Sequence, residues 1–332
     1  MKTLAICIPT YRRPEMLERC VLSALASAGP HPITIFIADD SVSDANVAVI
    51  SRLQAAHGCI RWQRNDVNQG IDRNIQLALA MSDCDYAWLI GEDDLFLPGA
   101  VARMLVLIQG RDDPFIFSNY VYVTEDHQRI LGAALVDAVD GEQPVRDFIA
   151  NSLWSTGFIG ACVVRCAAFK ATDGASYDGT YFTHVGRIVD LLADHSRIFI
   201  ASRPAIANRS QGADTFTWKK DSFGVFLGFE RMCLTAAQKH PRLSTMLAEA
   251  TRNYRRRFAY FSVKSTFRLR SQGAFDLRQF RAHVAGCEIE PWRKAWMLLL
   301  ALTPRAMLIP FATAYTVYVD RRRRHGEIAS SN

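Results

Sequence analysis

Three adjacent carboxylates follow an apolar run that ends at Ile90. Glu92, Asp93 and Asp94 would repel one another and lose hydration at a strand end, so a shared divalent cation would stabilise them. Their hard oxygen ligands suit Mg²⁺ or Mn²⁺, which would bridge to the phosphates of a bound nucleotide. The same cluster is also compatible with a solvated turn at a helix start near Pro98-Gly99.

A second polar segment, Asn68-Gln-Gly70-Ile-Asp72-Arg73-Asn74, places a glycine turn and an arginine at the beginning of a predicted helix. A helix N-terminus and a guanidinium group together form a suitable receptor for phosphate. Taken alone, an ordinary turn before a capped helix explains the segment equally well. Its interpretation therefore depends on what lies beside it.

Buried strands alternating with helices must position these segments. Continuous apolar runs predict strands at 4–8, 33–38, 60–64 and 86–90, and helices follow them at 14–28, 45–57, 71–81 and 100–108. This alternation predicts a parallel sheet covered on both faces. Ligands of such sheets bind beyond the carboxyl ends of the strands. Polar clusters stand at three of those ends, namely Thr10–Arg13, Asp39–Ser41 and Glu92–Asp94.

The chain beyond residue 110 alternates less regularly. Its apolar runs at 115–123, 158–164 and 198–201 predict a mixed sheet with loops. No glycine-rich linker separates the two halves (1–110 and 111–240), so we expect one domain over residues 1–240. Residues 241–332 are predicted to form a basic, amphipathic helical extension.

Four ordered motifs together resemble family 2 glycosyltransferases. They are Pro9-Thr10-Tyr11-Arg12-Arg13-Pro14, Ala38-Asp39-Asp40-Ser41, Asn68-x-Gly70-x-x-Arg73-Asn74 and Trp88-Leu89-Ile90-Gly91-Glu92-Asp93-Asp94 through Leu97-Pro98-Gly99. The stretch from Asn68 to Gly99 is most similar to the abequosyltransferase-like subgroup of bacterial surface-polysaccharide assembly. The resemblance implies an α/β fold of the GT-A type, a Rossmann-like mixed sheet flanked by helices. It also implies a nucleotide-sugar-binding half (1–110) and an acceptor half (111–240).

The resemblance also implies roles for individual residues. Residues around the nucleotide and its diphosphate would be Pro9, Thr10, Tyr11, Arg12, Asp40, Asn68, Gly70, Arg73, Asn74 and Glu92. Asp93 falls on the last Asp of the family's Asp-x-Asp motif and would be the metal ligand, with Asp94 beside it. Gly91 replaces the first Asp of that motif.

An inverting transfer needs a general base near the acceptor hydroxyl. Family members supply it from an acidic pair at a helix start, where this chain has Thr183-His184. A neutral His can accept a proton, so His184 is the first candidate, followed by Asp178 and then Asp190. A His that merely caps or packs on the helix over 185–193 is the alternative.

The charge of the chain is unevenly distributed. The net charge is +6 overall, but residues 1–250 carry 23 Lys+Arg against 28 Asp+Glu, and residues 251–332 carry 16 against 5. A basic end implies an anionic partner, which is either a nucleic acid or a membrane surface. The eight cysteines show no metal-ligand spacing and predict reduced residues of a cytosolic protein.

The apolar segment 295–319 favours the membrane. It contains one charge and two prolines, and basic clusters at 293–294 and 321–324 flank it. Because a full span would place one cluster on the outer side, a shallow in-plane or re-entrant hairpin is favoured. The interleaved aromatic and basic residues at 246–270 fit either the bilayer interface or a packed helix. Apolar bulk of this kind does not suit nucleic acid.

The resemblance implies an inverting transfer of sugar from a nucleotide-sugar donor to a polyprenyl-linked saccharide. The basic, apolar end agrees with a place at the inner face of the cytoplasmic membrane. A nucleotidyltransferase is less consistent with the sequence, because Pro9–Pro14 is not a glycine-rich phosphate loop. A catalytically silent family member acting as a binding or assembly subunit stays open, since Gly91 and His184 depart from the family pattern.

Overall fold

The computed structural model of the chain describes residues 1–209 and 221–311. Its first half alternates strands and helices as predicted. These elements are β1 (Leu4–Thr10), α1 (Pro14–Ala28), β2 (Thr34–Asp39), α2 (Val47–Ala56), β3 (Ile60–Arg64), α3 (Ile71–Ala80), β4 (Tyr86–Leu89), β5 (Leu95–Phe96) and α4 (Ala100–Gln109).

The next elements bring the chain back into the same sheet. They are β6 (Phe115–Val123), β7 (Ile130–Ala133), β8 (Gly141–Pro144), α5 (Val145–Ser152), β9 (Cys162–Arg165), α6 (Cys166–Lys170), α7 (Thr183–Leu192) and β10 (Arg197–Arg209). Helices follow, at α8 (Ser222–Lys239), α9 (Ser244–Phe258), α10 (Val263–Ser271), α11 (Leu277–Gln279), α12 (Pro291–Leu302) and α13 (Arg305–Phe311).

The sheet is mixed, in the order β3-β2-β1-β4-β9-β6-β10-β5, with β7 pairing β6 and β8 pairing β10. The first four strands are parallel, whereas β9 runs antiparallel to both of its neighbours. Residues 4–8 are all 0–1% exposed, which explains their unbroken apolar run. Helix α1 covers the sheet with an i, i+3, i+4, i+7 stripe, namely Leu17, Cys20, Val21 and Ala24. The predicted fold class is confirmed.

The apolar run at 158–164 is not one strand. Residues up to Ala161 form 3-10 turns, and β9 begins at Cys162. A Cβ on Gly160 would meet the Phe158 ring at 2.5 Å, and the Gly160 carbonyl accepts the Trp88 indole N–H at 2.9 Å. The close approach of this turn to the sheet therefore depends on glycine.

The described residues form two compact units. The first comprises residues 1–209 and 228–253 and contains the whole sheet, and the second comprises 221–227 and 254–311. In the second unit, the aromatic side chains of the 246–270 stretch are mostly interior. Tyr260 stacks on Phe226 with centroids 4.8 Å apart, and Phe223 packs on Phe275 at 5.0 Å. These aromatic groups form a packed core.

Within the described part of the chain, no single helix is long and apolar enough to cross a membrane. Helices α12 and α13 pass the length and composition test together, but they are bent by 105° where they meet. Residues 312–332, with the end of the predicted 295–319 segment and the cluster at 321–324, lie outside the described residues.

Candidate functional site

The carboxyl ends of three neighbouring strands form the site. Strand β1 lies between β2 and β4, and all three run in the same direction. The segments that follow them therefore meet at one edge of the sheet, as predicted. The backbone N–H of Arg12 donates to Ser41 Oγ at 2.7 Å and ties the first two segments together. Arg12 has a left-handed φ of 56°, a conformation that is costly for a side-chain-bearing residue and common at functional sites.

Asp40 organises the loop before α3. Its carboxylate is buried and accepts hydrogen bonds from the backbone N–H groups of Gln69 (2.7 Å) and Gly70 (2.9 Å) and from Asn65 Nδ2 (2.9 Å). Gly70 has a φ of 76°, which glycine adopts without strain. The side chain predicted to contact the nucleotide thus shapes the loop that leads to the predicted phosphate site.

The start of α3 offers one available cation. Arg73 is exposed on the first helical turn and has no hydrogen bond or ion pair to any described residue. Asn68 Oδ1 accepts the Gly70 N–H at 3.0 Å, forming the turn before the helix. Asn74 is buried, and its side-chain amide donates to the Ala38 carbonyl at 3.0 Å, so it joins α3 to β2. Arg73 is the member of this motif that is free to bind an anion.

The acidic turn is held by the first motif. Glu92 Oε2 accepts the Tyr11 N–H at 2.7 Å, and Arg13 Nη1 donates to Asp93 Oδ2 at 2.9 Å. Asp94 accepts the backbone N–H of Arg209 at 2.9 Å and is only 4% exposed. Asp93 is the most accessible of the three carboxylates, with 20% of its side chain exposed.

Burial makes this turn electrostatically costly. Desolvation raises the pKa of Glu92 to about 7, although hydrogen bonds from Thr10 and Tyr11 and the charge of Arg13 oppose the shift. Burial, together with the charge of Asp93, also raises the pKa of Asp94 well above its usual range. The charges of Arg13 and Arg209 only partly offset the three carboxyl groups, and a divalent cation would offset them further. No group of three His, Cys, Asp or Glu side chains is arranged around a metal position among residues 1–209 and 221–311.

A side chain at position 91 would displace the carboxylates of the acidic turn. A Cβ at this position would lie 2.8 Å from Asp94 Oδ2 and 3.2 Å from Asp93 Oδ1. The turn closes with an Asp94 N–H to Gly91 carbonyl hydrogen bond of 3.2 Å, which brings the Asp94 carboxylate back over residue 91. The Asp94 side chain therefore occupies the space that a side chain at 91 would need.

The structure places the three base candidates in different surroundings. His184 is 2% exposed, its Nε2 lies 3.0 Å from the Thr156 carbonyl, and its Nδ1 is buried without a partner. Burial lowers the His184 pKa to about 4, although the hydrogen bond opposes the shift, so the ring is neutral at pH 7. Asp178 is exposed, and its Oδ1 accepts from Gln76 Nε2 at 3.0 Å. The Asp190 carboxylate is hydrogen-bonded to Tyr177, Lys239 and His240. The bond to Lys239 joins α7 to the end of α8.

Two residues near the site were not singled out from the sequence. Asp72 bonds to the segment that leads into α7, and its place in the first turn of α3, next to Arg73, is the signal that was available. His127, in the turn between β6 and β7, lies near Asp93, and burial and the charges of Arg19 and Arg209 lower its pKa. No local pattern at His127 indicates this contact, which depends on strand pairing.

Comparison with known sequences identifies the family. Residues 5–171, half of the chain, match the family described as "Glycosyl transferase family 2". The chain belongs to glycosyl transferase family 2. The matched residues include all four motifs, so the family predicted from them is confirmed.

Two curated relatives of this family 2 chain extend the comparison. Abequosyltransferase RfbV of Salmonella typhimurium is 26% identical over 196 residues, which cover 55% of this chain and 59% of the relative. A Campylobacter jejuni protein named GalNAc(5)-diNAcBac-PP-undecaprenol beta-1,3-glucosyltransferase is 26% identical over 106 residues, covering 32% and 34%. The chain thus spans well under two thirds of the length of either relative.

Solved structures share the fold of this family 2 chain. TarS from S. aureus (residues 1–349, in complex with UDP-GlcNAc) has a TM-score of 0.59 at 11% identity and covers 94% of this chain and 92% of its own. Mannosyltransferase PcManGT from Pyrobaculum calidifontis, in complex with GDP-Man and Mn²⁺, has a TM-score of 0.54 at 11% identity, with 95% and 88% coverage. At these identities the likeness concerns the fold.

Proposed function

We propose that the chain is an inverting glycosyltransferase that moves a sugar from a nucleotide-sugar donor to a saccharide carried on a polyprenyl lipid. The observation that carries this proposal is the meeting of three motifs at one sheet edge. There Asp40 holds the loop before Arg73, and Glu92 joins the acidic turn to the end of β1. Family membership and the two curated relatives support it.

The residues of the site have separate roles in a single displacement reaction. The bond between the sugar C1 and the diphosphate oxygen breaks, and its electron pair leaves with the diphosphate. Arg73 and the N-terminus of α3 would stabilise that charge. The acceptor hydroxyl oxygen forms the new bond to C1 from the opposite face and loses its proton to a base. Because attack and departure occur on opposite faces, the anomeric configuration inverts.

The carboxylates of the acidic turn fit Mg²⁺ or Mn²⁺. Asp93, with Asp94 beside it, would hold the cation, which when bound supplies positive charge to the leaving diphosphate. Burial raises the pKa of Glu92 and Asp94, and a bound divalent cation would oppose that shift. Glu92 supports the donor loop through the Tyr11 N–H.

We place the base either at Asp178, before α7, or at His184, in the first turn of α7. Asp178 is exposed, so an acceptor hydroxyl reaches its carboxylate without a movement of the chain. His184 is neutral but buried, and its low pKa makes it a weak base. Turnover of His184→Gln and Asp178→Asn separates the two candidates. The candidate whose loss costs at least about 100-fold in kcat is the base.

A thermal-shift panel tests the donor. Purified protein is melted with the sugar nucleotides of uracil, guanine, cytosine and thymine, each with and without Mn²⁺, and one donor should stabilise the protein only when the metal is present. Asp93→Asn should abolish the metal-dependent part of the shift. Hydrolysis or transfer of that donor then separates an enzyme from a silent binding subunit. No shift and no turnover with any donor would contradict the proposal.

The proposed partner of the second unit is an anionic membrane surface. Helix α12 is apolar on two faces. Met297, Leu300 and Ala301 are buried, whereas Trp292, Leu299 and Leu302 are each 57–59% exposed along a stripe of i, i+7, i+10 spacing. An exposed apolar stripe of this kind on the outer side of a helix indicates an interaction surface.

Further apolar and basic groups adjoin this stripe. On α13, Met307 and Phe311 are 62% and 69% exposed, and an apolar cleft of about 400 Å³ opens between Trp292, Trp296 and Val263. The excess of 11 positive charges in residues 251–332 complements anionic headgroups. An interfacial helix pair that keeps the enzyme at its lipid-linked acceptor fits these features.

Vesicle binding tests this surface. The protein should sediment with phosphatidylglycerol-containing vesicles, and Leu299→Gln with Leu302→Gln should lower the bound fraction several-fold. Val106→Gln is the matched control, because Val106 is 68% exposed on α4 in the first unit. Equal binding of the double variant and the control would contradict the membrane assignment.

A further inference from the structure

The carboxylate of Asp72 accepts three backbone hydrogen bonds from one loop. Asp72 Oδ2 lies 3.1 Å from Gly179 N and 2.9 Å from Tyr181 N, and Oδ1 lies 3.3 Å from Thr183 N. We name residues 178–183 the α7 loop, because they lead into α7. The loop thus wraps a single side chain that belongs to another helix, more than 100 positions earlier in the sequence.

Two of the residues that donate to this carboxylate have left-handed backbone conformations. Gly179 has a φ of 76°, and Tyr181 has a φ of 67°. A left-handed tyrosine is strained, and such strain persists only where surrounding contacts impose it. The hydrogen bonds from Gly179, Tyr181 and Thr183 to the carboxylate are contacts of that kind. A second link from α3, Gln76 Nε2 to Asp178 Oδ1, holds the beginning of the loop.

Asp72 therefore connects the donor side of the proposed site to its acceptor side. It precedes Arg73, which the proposed function assigns to the donor diphosphate, and it holds the loop that carries Asp178 and leads to His184. A transfer reaction requires the sugar carbon and the acceptor base to be held at a fixed separation. The first turn of α3 fixes both partners at once.

We propose that Asp72 is a positioning residue that couples donor binding on α3 to the placement of the acceptor base on the α7 loop. This inference rests on the proposed glycosyl transfer. It assigns Asp72 no contact with the reacting atoms, and its effect passes through the backbone of residues 179–183.

The electrostatics of Asp72 agree with a functional role. Burial and the charge of Asp178 raise its pKa, whereas the hydrogen bonds from the loop lower it. A buried carboxylate lowers the free energy of unfolding relative to a neutral side chain of the same shape. Asp72→Asn keeps the shape and one acceptor oxygen but removes the charge that gathers three N–H groups.

Hydrogen exchange gives the direct test of the anchor. In Asp72→Asn and Asp72→Ala, the amides of residues 179–183 should exchange at least about 10-fold faster than in the parent chain, while those of β1 and β2 keep their rates. Asp83→Asn is the matched control, because Asp83 is an exposed aspartate just beyond the other end of α3. Unchanged exchange in the α7 loop of both Asp72 variants would overturn the anchor.

Kinetics test the coupling. For Asp72→Asn we expect kcat for transfer to fall about 10- to 100-fold while donor KM and the affinity for the nucleoside diphosphate with Mn²⁺ change less than about 3-fold. Asp83→Asn should leave all three values unchanged. Faster exchange in the loop with full kcat would overturn the coupling, and so would equal losses in kcat and donor affinity. If the parent chain shows no transfer at all, the proposed function fails, while the exchange measurement still decides the anchor.

Discussion

The buried carboxyl group of Glu92 makes the stability of the folded protein depend on pH. Its pKa of about 7 exceeds the ordinary value of 4.5, so the folded state retains a proton that the unfolded chain has already lost. The stability that this proton confers is full below about pH 4.5 and is lost as the pH rises through 7. Above pH 7 the folded protein therefore carries an unfavourable buried charge.

The variant Glu92→Gln should consequently be more stable than the parent chain at pH 8, by about 1–3 kcal/mol, and equally stable near pH 4.5. Its metal-dependent donor binding should be weaker, because the acidic turn has lost a charge. Urea denaturation at the two pH values measures the first effect, and donor titration with Mn²⁺ measures the second. A variant that is less stable at pH 8 would contradict this assignment of charge.

His184 has the opposite dependence on pH. Its folded pKa of about 4 lies below the ordinary 6.5, so the unfolded chain binds a proton that the folded state excludes. Stability is full above about pH 6.5 and is lost as the pH falls towards 4. Between pH 7.5 and 5, the parent chain should lose about 2 kcal/mol more than His184→Gln, which keeps an N–H donor for Thr156. Equal losses in urea denaturation would show that His184 is not buried and neutral.

At the scale of elements, α8 packs against the α7 loop through a glycine. A Cβ on Gly228 would lie 1.9 Å from the Thr180 carbonyl oxygen, which is a backbone atom that cannot rotate away. Gly228→Ala gains about 1 kcal/mol of helix propensity, but the forced displacement costs about 1–3 kcal/mol or more. We expect a lower midpoint of thermal unfolding and a larger loss of kcat than of donor affinity.

Gly58→Ala provides the comparison for Gly228→Ala. A Cβ on Gly58 meets no atom within 4 Å, so its effect on stability should stay within about 0.5 kcal/mol. Both variants add one methyl group, and only the surroundings differ. Similar melting curves and similar kcat values for the two variants would show that α8 does not press on the α7 loop.

The elements also show what the sequence can and cannot predict. Strands β1, β2 and β4 were predicted to within about two residues, because they are buried on both faces and carry a continuous apolar run. Only the end of the apolar run at 158–164 is a strand, because the glycine turn before Cys162 serves a tertiary contact with Trp88. Hydrophobic patterning carries no information on such a contact.

The same limit applies to the site. The motifs on adjacent strand ends could be brought together from the sequence, because a parallel sheet fixes where those ends lie. The hydrogen bond from the Tyr181 N–H to Asp72 joins the loop before α7 to α3. The two residues are 109 positions apart, and no spacing rule connects them. The buried state of His184 was likewise unpredictable, because a polar pair at a helix start resembles an exposed cap.

At the scale of the whole molecule, charge and apolar surface would contribute differently to the membrane binding that we propose. The attraction between basic side chains and anionic lipid falls as the Debye length shortens from about 10 Å at 0.1 M salt to about 3 Å at 1 M. The apolar contribution of α12 and α13 does not weaken with salt. Binding to anionic vesicles should therefore fall several-fold between 0.1 and 0.5 M NaCl and then level off above zero.

Vesicle sedimentation across that salt range measures both contributions. Neutral phosphatidylcholine vesicles should show the residual level of binding at every salt concentration. Complete loss of binding at 0.5 M would leave no role for the exposed stripe of α12. Binding that is independent of salt would leave none for the basic charge.

The contact between Gly91 and Asp94 also constrains how this site can change during evolution. The Asp94 carboxylate fills the space above residue 91 and is held by the Arg209 N–H, so Gly91→Asp alone would force a buried, bonded group out of place. Asp94→Gly alone would remove one acidic group and supply none. Each single step is expected to lose metal-dependent donor binding, whereas the double change restores the number of carboxylates in the turn. We therefore expect the effects of the two substitutions on metal-dependent donor binding to be non-additive.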